Sequence, residues 1–492
     1  MKYKLMGVAM LAVAVLTAVA ATALEPAVEK SARVHHHLTA RRDTGCECDG
    51  TELCSHLPLV IIDTKGQEIP GEVTDVMDSF SQVIYTKAPD GLATIRTEVK
   101  VIDNPDGNNH PSDVPVFTTV SDFRIRGYSS RYAAKKPYLL KFMDENGQKR
   151  DISVMGMGAH NEWALHAPLT DKSLVRNYMM YNISGEIMRW APNCRFCEVI
   201  VNGSYEGVYL MVETIAKGEN CRLHLERNMK NAGVMGYLLR IDRPNEEELE
   251  SIRDIYAYAE RINRLFQDVA IRYPGRGVLT EEIKRGIELD YAAFEKSLYS
   301  YDYDTGSYGY WNWIDVDNFV DYYIIQELSQ NFDMGAFSTY IYKEPDEPYR
   351  LAVWDFDNVW GNARTTVVFP DTFILNERAW YLMLFKDEAF VQRVLERHRE
   401  LRKSYLSEEY LLNYIDEAVD FLGPAAERNS VRWADEIANW DALGSDYDNP
   451  HSFEEAVEML KTRIIQRGRW LDEEIHAIQQ YCHPSRNKKY NH

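Results

Sequence analysis

Val353-Trp354-Asp355-Phe356-Asp357-Asn358 is the end of a strand running straight into an acidic turn, and the rest of the chain is read outward from it. Arg350–Trp354 has the apolar, β-branched make-up of a short strand, and Ser338-Thr339-Tyr340-Ile341-Tyr342 is a second, the two joined around Pro345–Pro348. Asp333 stands in a loop after the helical stretch Val316–Gln330, with Asp355 and Asp357 only 22 and 24 residues further on. A hairpin between them can bring all three acids to one place. Carboxylates on loops at strand ends suit a hard cation such as Mg²⁺, which takes one or two protein carboxylates and fills its shell with water and phosphate oxygens. The same three residues would also serve as ordinary turn acids.

A second cluster carries the opposite charge. Arg124, Arg126, Gly127, Ser129, Ser130, Arg131, Lys135, Lys136 and Lys141 fall within 18 residues of a chain whose 55 Lys and Arg face 76 Asp and Glu, a net charge of −21. That balance opposes capture of DNA, RNA or an anionic membrane face. The turn Arg126–Arg131 lies between two expected strands, so its backbone N–H groups, hydroxyls and guanidinium can wrap an anion; it would equally pass for a solvated basic turn. No Gly-x-x-x-x-Gly-Lys-Ser/Thr occurs, which excludes a P-loop nucleotide site.

Around these clusters the pattern changes once. Strand-like runs at Leu57–Ile62, Gln82–Tyr85, Thr97–Val101, Asp122–Arg126 and Lys135–Phe142 are followed by a helix over Asp171–Met188. Two further strands, Glu198–Val201 and Gly207–Val212, flank an Asn202-Gly203 hairpin turn, and Gly236–Ile241 adds another. Residues 245–310 are charged and largely helical, and read as an insertion; from 379 to 480 nearly everything is helix. This is an α+β chain, β-rich first and helical last. With 45% hydrophobic and 12% aromatic residues it can bury a large core.

The first 23 residues read as a signal peptide: Lys2 and Lys4, an apolar run from Leu5 to Val19, then Ala21-Thr22-Ala23 before the expected cleavage. The mature protein is therefore expected to be exported, to a periplasmic, cell-surface or secreted location, with no transmembrane segment. Residues 24–56, including His35-His36-His37, read as a flexible, solvated leader. Of the seven cysteines, one to three disulfides are expected, leaving an odd thiol. Cys194-Arg-Phe-Cys197 resembles half a zinc site, but no second pair stands at zinc-ribbon spacing.

Arg124-Ile-Arg-Gly-Tyr-Ser-Ser130, Lys136-Pro-Tyr-Leu-Leu-Lys141-Phe, Met155-Gly-Met-Gly-Ala-His-Asn-Glu-Trp163, Asp171-Lys-Ser-Leu-Val-Arg-Asn177, Asn202–Tyr209, Val353–Asn358 and Arg428-Asn-Ser-Val-Arg-Trp433 together resemble the CotH spore-coat kinase family, from about Leu57 to the end. The resemblance implies an atypical protein-kinase-like fold that binds ATP with Mg²⁺ or Mn²⁺ and phosphorylates Ser or Thr of a protein acceptor. On that scheme 57–120 is a β-rich N-terminal extension, 121–243 the N-lobe and 244–492 the C-lobe. Asp333 takes the place of the catalytic-loop acid, acting as base or metal ligand, and Asp355 of the metal-binding acid, with Asp357 and Ser338 as further metal ligands. Arg126, Ser129 and Ser130 would touch phosphates. Lys141, with Lys136 as competitor, would neutralise α/β-phosphate charge, Glu213 would lie beside the adenine, and Arg176 would orient the lysine or an acid, unless it only fixes its helix through Asp171.

Two departures from that scheme set up alternatives. Ser338 stands where ordinary kinases have a metal-binding asparagine, and an exported protein meets little ATP, so a catalytically weak or inactive pseudokinase serving surface or coat assembly or adhesion is the rival. A glycan hydrolase built on paired acids is a third reading, but it leaves the basic turn without a purpose.

Overall fold

Along Ile95-Arg-Thr-Glu-Val-Lys-Val-Ile102 the buried positions alternate with more exposed ones until the last two, both buried; such a strand has one face that must be covered. In this computed structural model the cover is a barrel. The structure describes residues 33–40, 45–76, 83–105, 107–218, 222–227, 235–243, 268–362, 369–376, 378, 380–439 and 449–485. The expected signal peptide, residues 24–32 of the leader and Cys221 lie outside them.

Strands β1 (Leu59–Asp63), β4 (Ile95–Ile102), β5 (Phe117–Ile125), β6 (Tyr138–Met143), β7 (Glu162–His166), β8 (Cys194–Val201) and β9 (Ser204–Glu213) close in the order β1-β4-β5-β6-β7-β9-β8, while β2 (Val73–Val76) and β3 (Val83–Tyr85) form a separate ribbon. Every neighbouring pair is antiparallel except the closing one, in which β1 runs parallel to β8 with Leu59 opposite Glu198. Val60, Val99, Phe123, Leu140, Trp163, Leu165 and Met211 fill the interior. The β8–β9 turn carries Asn202 at φ +51° and Gly203 at φ +81°, as the Asn-Gly signal requires.

A second sheet follows, ordered β11-β10-β12-β13, from β10 (Tyr237–Asp242), β11 (Asp268–Tyr273), β12 (Thr339–Lys343) and β13 (Tyr349–Ala352). The outer faces of β8 and β9, this sheet and the helices share one large core. The helices are α1 (His36–Thr39), α2 (Arg176–Ile187), α3 (Glu281–Tyr299), α4 (Val316–Ser329), α5 (Tyr381–Leu384), α6 (Glu388–Leu401), α7 (Glu408–Arg432), α8 (Ala434–Asn439) and α9 (Phe453–Glu474). Helix α2 is buried on almost every side. α7 is kinked where Gly423, at φ +39°, precedes Pro424. Deep in the helical part Arg467 pairs with Glu327 at 2.5 Å, both side chains without exposed surface.

Several expectations change. Strand β5 crosses residue 120 and belongs with β1 and β4 to the same barrel, so 57–120 is no separate extension. A division at 243/244 would cut a sheet, because β10 pairs with β11 on one side and β12 on the other; Val34–His492 forms one compact unit. Within the expected insertion, β11 is a sheet strand and Tyr291 and Phe294 of α3 are core residues. The histidine run of the leader is docked, not solvated: His36 and His37 are buried against Phe421, Tyr178 and Tyr414, and His35 reaches Tyr414 at 2.9 Å, while residues 45–52 are exposed. Aromatic faces on α2 and α7 supply the apolar ground that composition alone does not announce.

Candidate active site

A cleft of about 400 Å³ runs between the barrel and the second sheet, a size that small-molecule sites commonly have. One wall is the basic turn, with Arg124, Arg126, Ser129, Ser130 and Lys141; the other carries Asp333, Ser338, Asp355 and Asp357. The two clusters, far apart in sequence, therefore face one space.

The register of β12 and β13 sets the acidic wall. Tyr340 pairs with Ala352, which leaves Ser338 and Asp355 emerging side by side, and the Ser338 hydroxyl donates to Asp355 Oδ2 at 3.0 Å. Both residues hold left-handed backbones, φ +46° and +62°, conformations that cost roughly 1–3 kcal/mol each and persist where surroundings enforce them. Tyr181 of α2 accepts from the Asp355 N–H at 3.1 Å, and Asn177 accepts from the Phe356 N–H at 2.8 Å while its amide donates to Asp357. Asp333 is held by the Asn358 amide at 3.1 Å. Burial, followed by repulsion from Asp333, raises the Asp355 carboxyl to about 6; burial likewise raises Asp333, and burial with repulsion from Asp355 raises Asp357 well above the usual range. Among the described residues none of the three has a Lys or Arg at ion-pair distance. Carboxylates gathered in this way are under-compensated, and the donor set fits a hard divalent cation.

The basic wall gathers its cations around a tight turn. Gly127 holds φ +90°, a backbone that side chains rarely adopt, and a Cβ there would push aside the Ser130 hydroxyl 2.1 Å away. Arg126 stands 5.4 Å over the Trp354 ring and donates to His166 Nε2 at 3.2 Å, a contact that requires a neutral imidazole; burial and Arg126 keep it so. Lys141 pairs with Glu162 of β7 at 3.2 Å. Burial works to raise the Glu162 carboxyl, but Lys141 and Arg272 outweigh it and hold it down at about 2. Arg243 lies 4.6 Å over Tyr128 and 3.6 Å over Phe337, spanning the two walls.

Three expected residues are elsewhere. Lys136 turns away to Glu72 at 2.8 Å and to the Arg131 carbonyl, which leaves Lys141 as the cleft lysine. Glu213 is wholly buried against Arg222 at 2.9 Å; its chain neighbours Thr214 and Ile215 line the cleft instead. Arg176 is buried against Asp171 at 2.5 Å and donates to the Val359 carbonyl, so it braces the acidic turn from behind. Sequence reasoning missed Glu162, His166, Arg240, Arg243 and Arg272 in the cleft. It also gave Asn358 and Asn177 no part in holding the acids, although both lie in the motifs quoted.

Across the cleft an acidic turn thus faces a basic turn and a Lys–Glu pair. The family model for the CotH kinase protein matches residues 123–471, most of the chain, and the chain belongs to that family. No curated protein matches it. Family membership suggests a kinase-like phosphotransferase, with nucleotide and divalent metal use in general.

Proposed function

We propose that this cleft, in an atypical protein-kinase-like fold, binds ATP with Mg²⁺ or Mn²⁺ and transfers the γ-phosphoryl group to a Ser or Thr hydroxyl of a protein acceptor. The observation carrying the proposal is that Asp333 and Asp355 face the turn Arg126–Arg131 and the Lys141–Glu162 pair across one cleft. Phosphoryl transfer asks mainly for a positioned polyphosphate and neutralised charge. Arg126, the hydroxyls of Ser129 and Ser130 and the turn's N–H groups would clasp the phosphates, and Lys141, steadied by Glu162, would meet the α/β oxygens. Asp355 and Asp357 would hold the divalent cation, whose chemistry is to neutralise charge on the β- and γ-phosphates. Asp333 would take the proton of the acceptor hydroxyl as its oxygen bonds to the γ-phosphorus and the bond to the β–γ bridging oxygen breaks, its electron pair leaving with ADP. The lysine-rich start and apolar run of the sequence support export; among the described residues no helix is long and apolar enough to cross a membrane.

The test is incubation of the mature chain with γ-labelled ATP, Mg²⁺ or Mn²⁺ and mixed protein acceptors, beside Asp355→Ala. The variant is expected to lose transfer by roughly 10²-fold or more, and transfer retained by it rejects the assignment. One observation favours the pseudokinase: the Ser338 hydroxyl is already engaged with Asp355. That reading predicts no label transferred and no thermal shift with Mg–ATP, whereas a bound nucleotide at 100 times its Kd would stabilise the fold by about 2.7 kcal/mol.

A further inference from the structure

The described leader brings Cys46, Cys48 and Cys54, none of which lines the cleft, against His110, which does not line it either, with one ligand atom of each within 4.8 Å of all the others. We propose that these four side chains form a zinc site of three thiolates and one imidazole, fastening the leader to the loop between β4 and β5.

The donor set identifies the metal. Three sulfurs and one nitrogen are soft and borderline ligands that select Zn²⁺ over the oxygen-seeking cations suited to the acidic cleft. Zinc bonds of about 2.3 Å to sulfur and about 2.0–2.1 Å to nitrogen give tetrahedral edges of roughly 3.5–3.8 Å, so the cluster needs to contract by only about 1 Å to close on an ion. Cys46 Sγ already lies 3.6 Å from His110 Nε2. The imidazole is oriented as metal-bound histidines are: its far nitrogen, Nδ1, faces Asp113 Oδ2 at 3.3 Å, and the same oxygen accepts from the His110 N–H at 2.8 Å. Cys54 Sγ accepts from the Asn108 amide at 3.2 Å, as a thiolate ligand does.

The backbone around the four is already tied together. Ser55 and Asn109 exchange main-chain hydrogen bonds at 3.0 and 2.6 Å, and Glu52 accepts from the Ser112 hydroxyl at 2.5 Å. A disulfide would use two sulfurs and strand the third with the imidazole, whereas one zinc ion satisfies all four donors. The Cys194/Cys197 pair offers no such site: both are on β8, three residues apart, and pack into different cores on its two faces.

The experiment uses the full mature chain, purified without metal-affinity steps, reduced and then given Zn²⁺ alone. We expect one zinc per chain by elemental analysis, retained by Asp355→Ala, which separates this site from the cleft. Cys48→Ser and His110→Ala should hold near none, and Asp113→Asn should bind 10–100-fold more weakly. Since a variant can fail to fold, Co²⁺ is also titrated into the unaltered chain, where thiolate charge-transfer and tetrahedral d–d bands should saturate at one equivalent. Absence of those bands from a chain with free thiols overturns the proposal, as does an intact mass showing a disulfide among Cys46, Cys48 and Cys54 in freshly exported protein.

Discussion

Replacing Asp355 by asparagine should make the protein more stable and inactive at once. In the folded chain the Asp355 carboxyl is raised from 3.8 to about 6, by burial first and the Asp333 charge second. A unit of pKa corresponds to about 1.36 kcal/mol, so full expression of this shift is on the order of 3 kcal/mol; the residue keeps some exposure to the cleft, and about 1–3 kcal/mol is the reasonable range. The sign follows from linkage. Between about pH 4 and pH 6 the folded chain holds a proton here that the unfolded chain has released, so this group's contribution falls as pH rises through that window and the penalty is complete above pH 6. Asparagine cannot ionise, keeps an acceptor for Ser338 and relieves Asp333. Scanning calorimetry should therefore give Asp355→Asn a Tm a few degrees above the parent at pH 7.5 and a gap of roughly half that size at pH 5. Mg–ATP at 100 times its Kd should close or reverse the gap, adding about 2.7 kcal/mol to the parent alone. A variant less stable at pH 7.5, or a difference of the same size at both pH values, refutes the reasoning.

Lys141→Met should cost roughly 10²–10³-fold in transfer with little change in Tm, because its pair with Glu162 is 39% exposed on the lysine side; a large Tm loss instead would make the pair structural. Gly127→Ala forces a Cβ against Ser130 at φ +90°, so KM for the nucleotide should rise, checked by saturation kinetics, for a stability loss of about 1–3 kcal/mol. Glu327→Ala strands the Arg467 charge in a dry core and should cost about 3–5 kcal/mol in denaturant unfolding, whereas the double variant Glu327→Met, Arg467→Met should recover most of it. Burial raises Glu327 and lowers Arg467 even with the two in contact, which is why an apolar pair is the fair comparison.

The acidic wall was readable because a strand ending directly in acids leaves few conformations, and the hairpin Ser338–Trp354 formed where turn chemistry put it. Strand β7 was not: Glu162-Trp-Ala-Leu-His166 is short, nearly all buried and without alternation, so Glu162 escaped notice. β11 lies in charged sequence that looks helical, and only pairing with β10 makes it a strand. Between Lys136 and Lys141 the odd separation of five sends the side chains to opposite faces of extended chain, but which face is the cleft depends on barrel closure. His110 lies 64 residues from Cys46, a distance no local pattern spans.

The parallel pairing of β1 with β8 bears on when the molecule can become itself. Leu59 waits for Glu198, and the segment just before it waits longer still: His56 bonds the Phe421 carbonyl and Ser55 the Arg428 guanidinium. Contacts so distant along the chain are slow to form. During synthesis the stretch Ser55–Leu59 must therefore wait with its contacts unmade until Phe421 and Arg428 have left the ribosome.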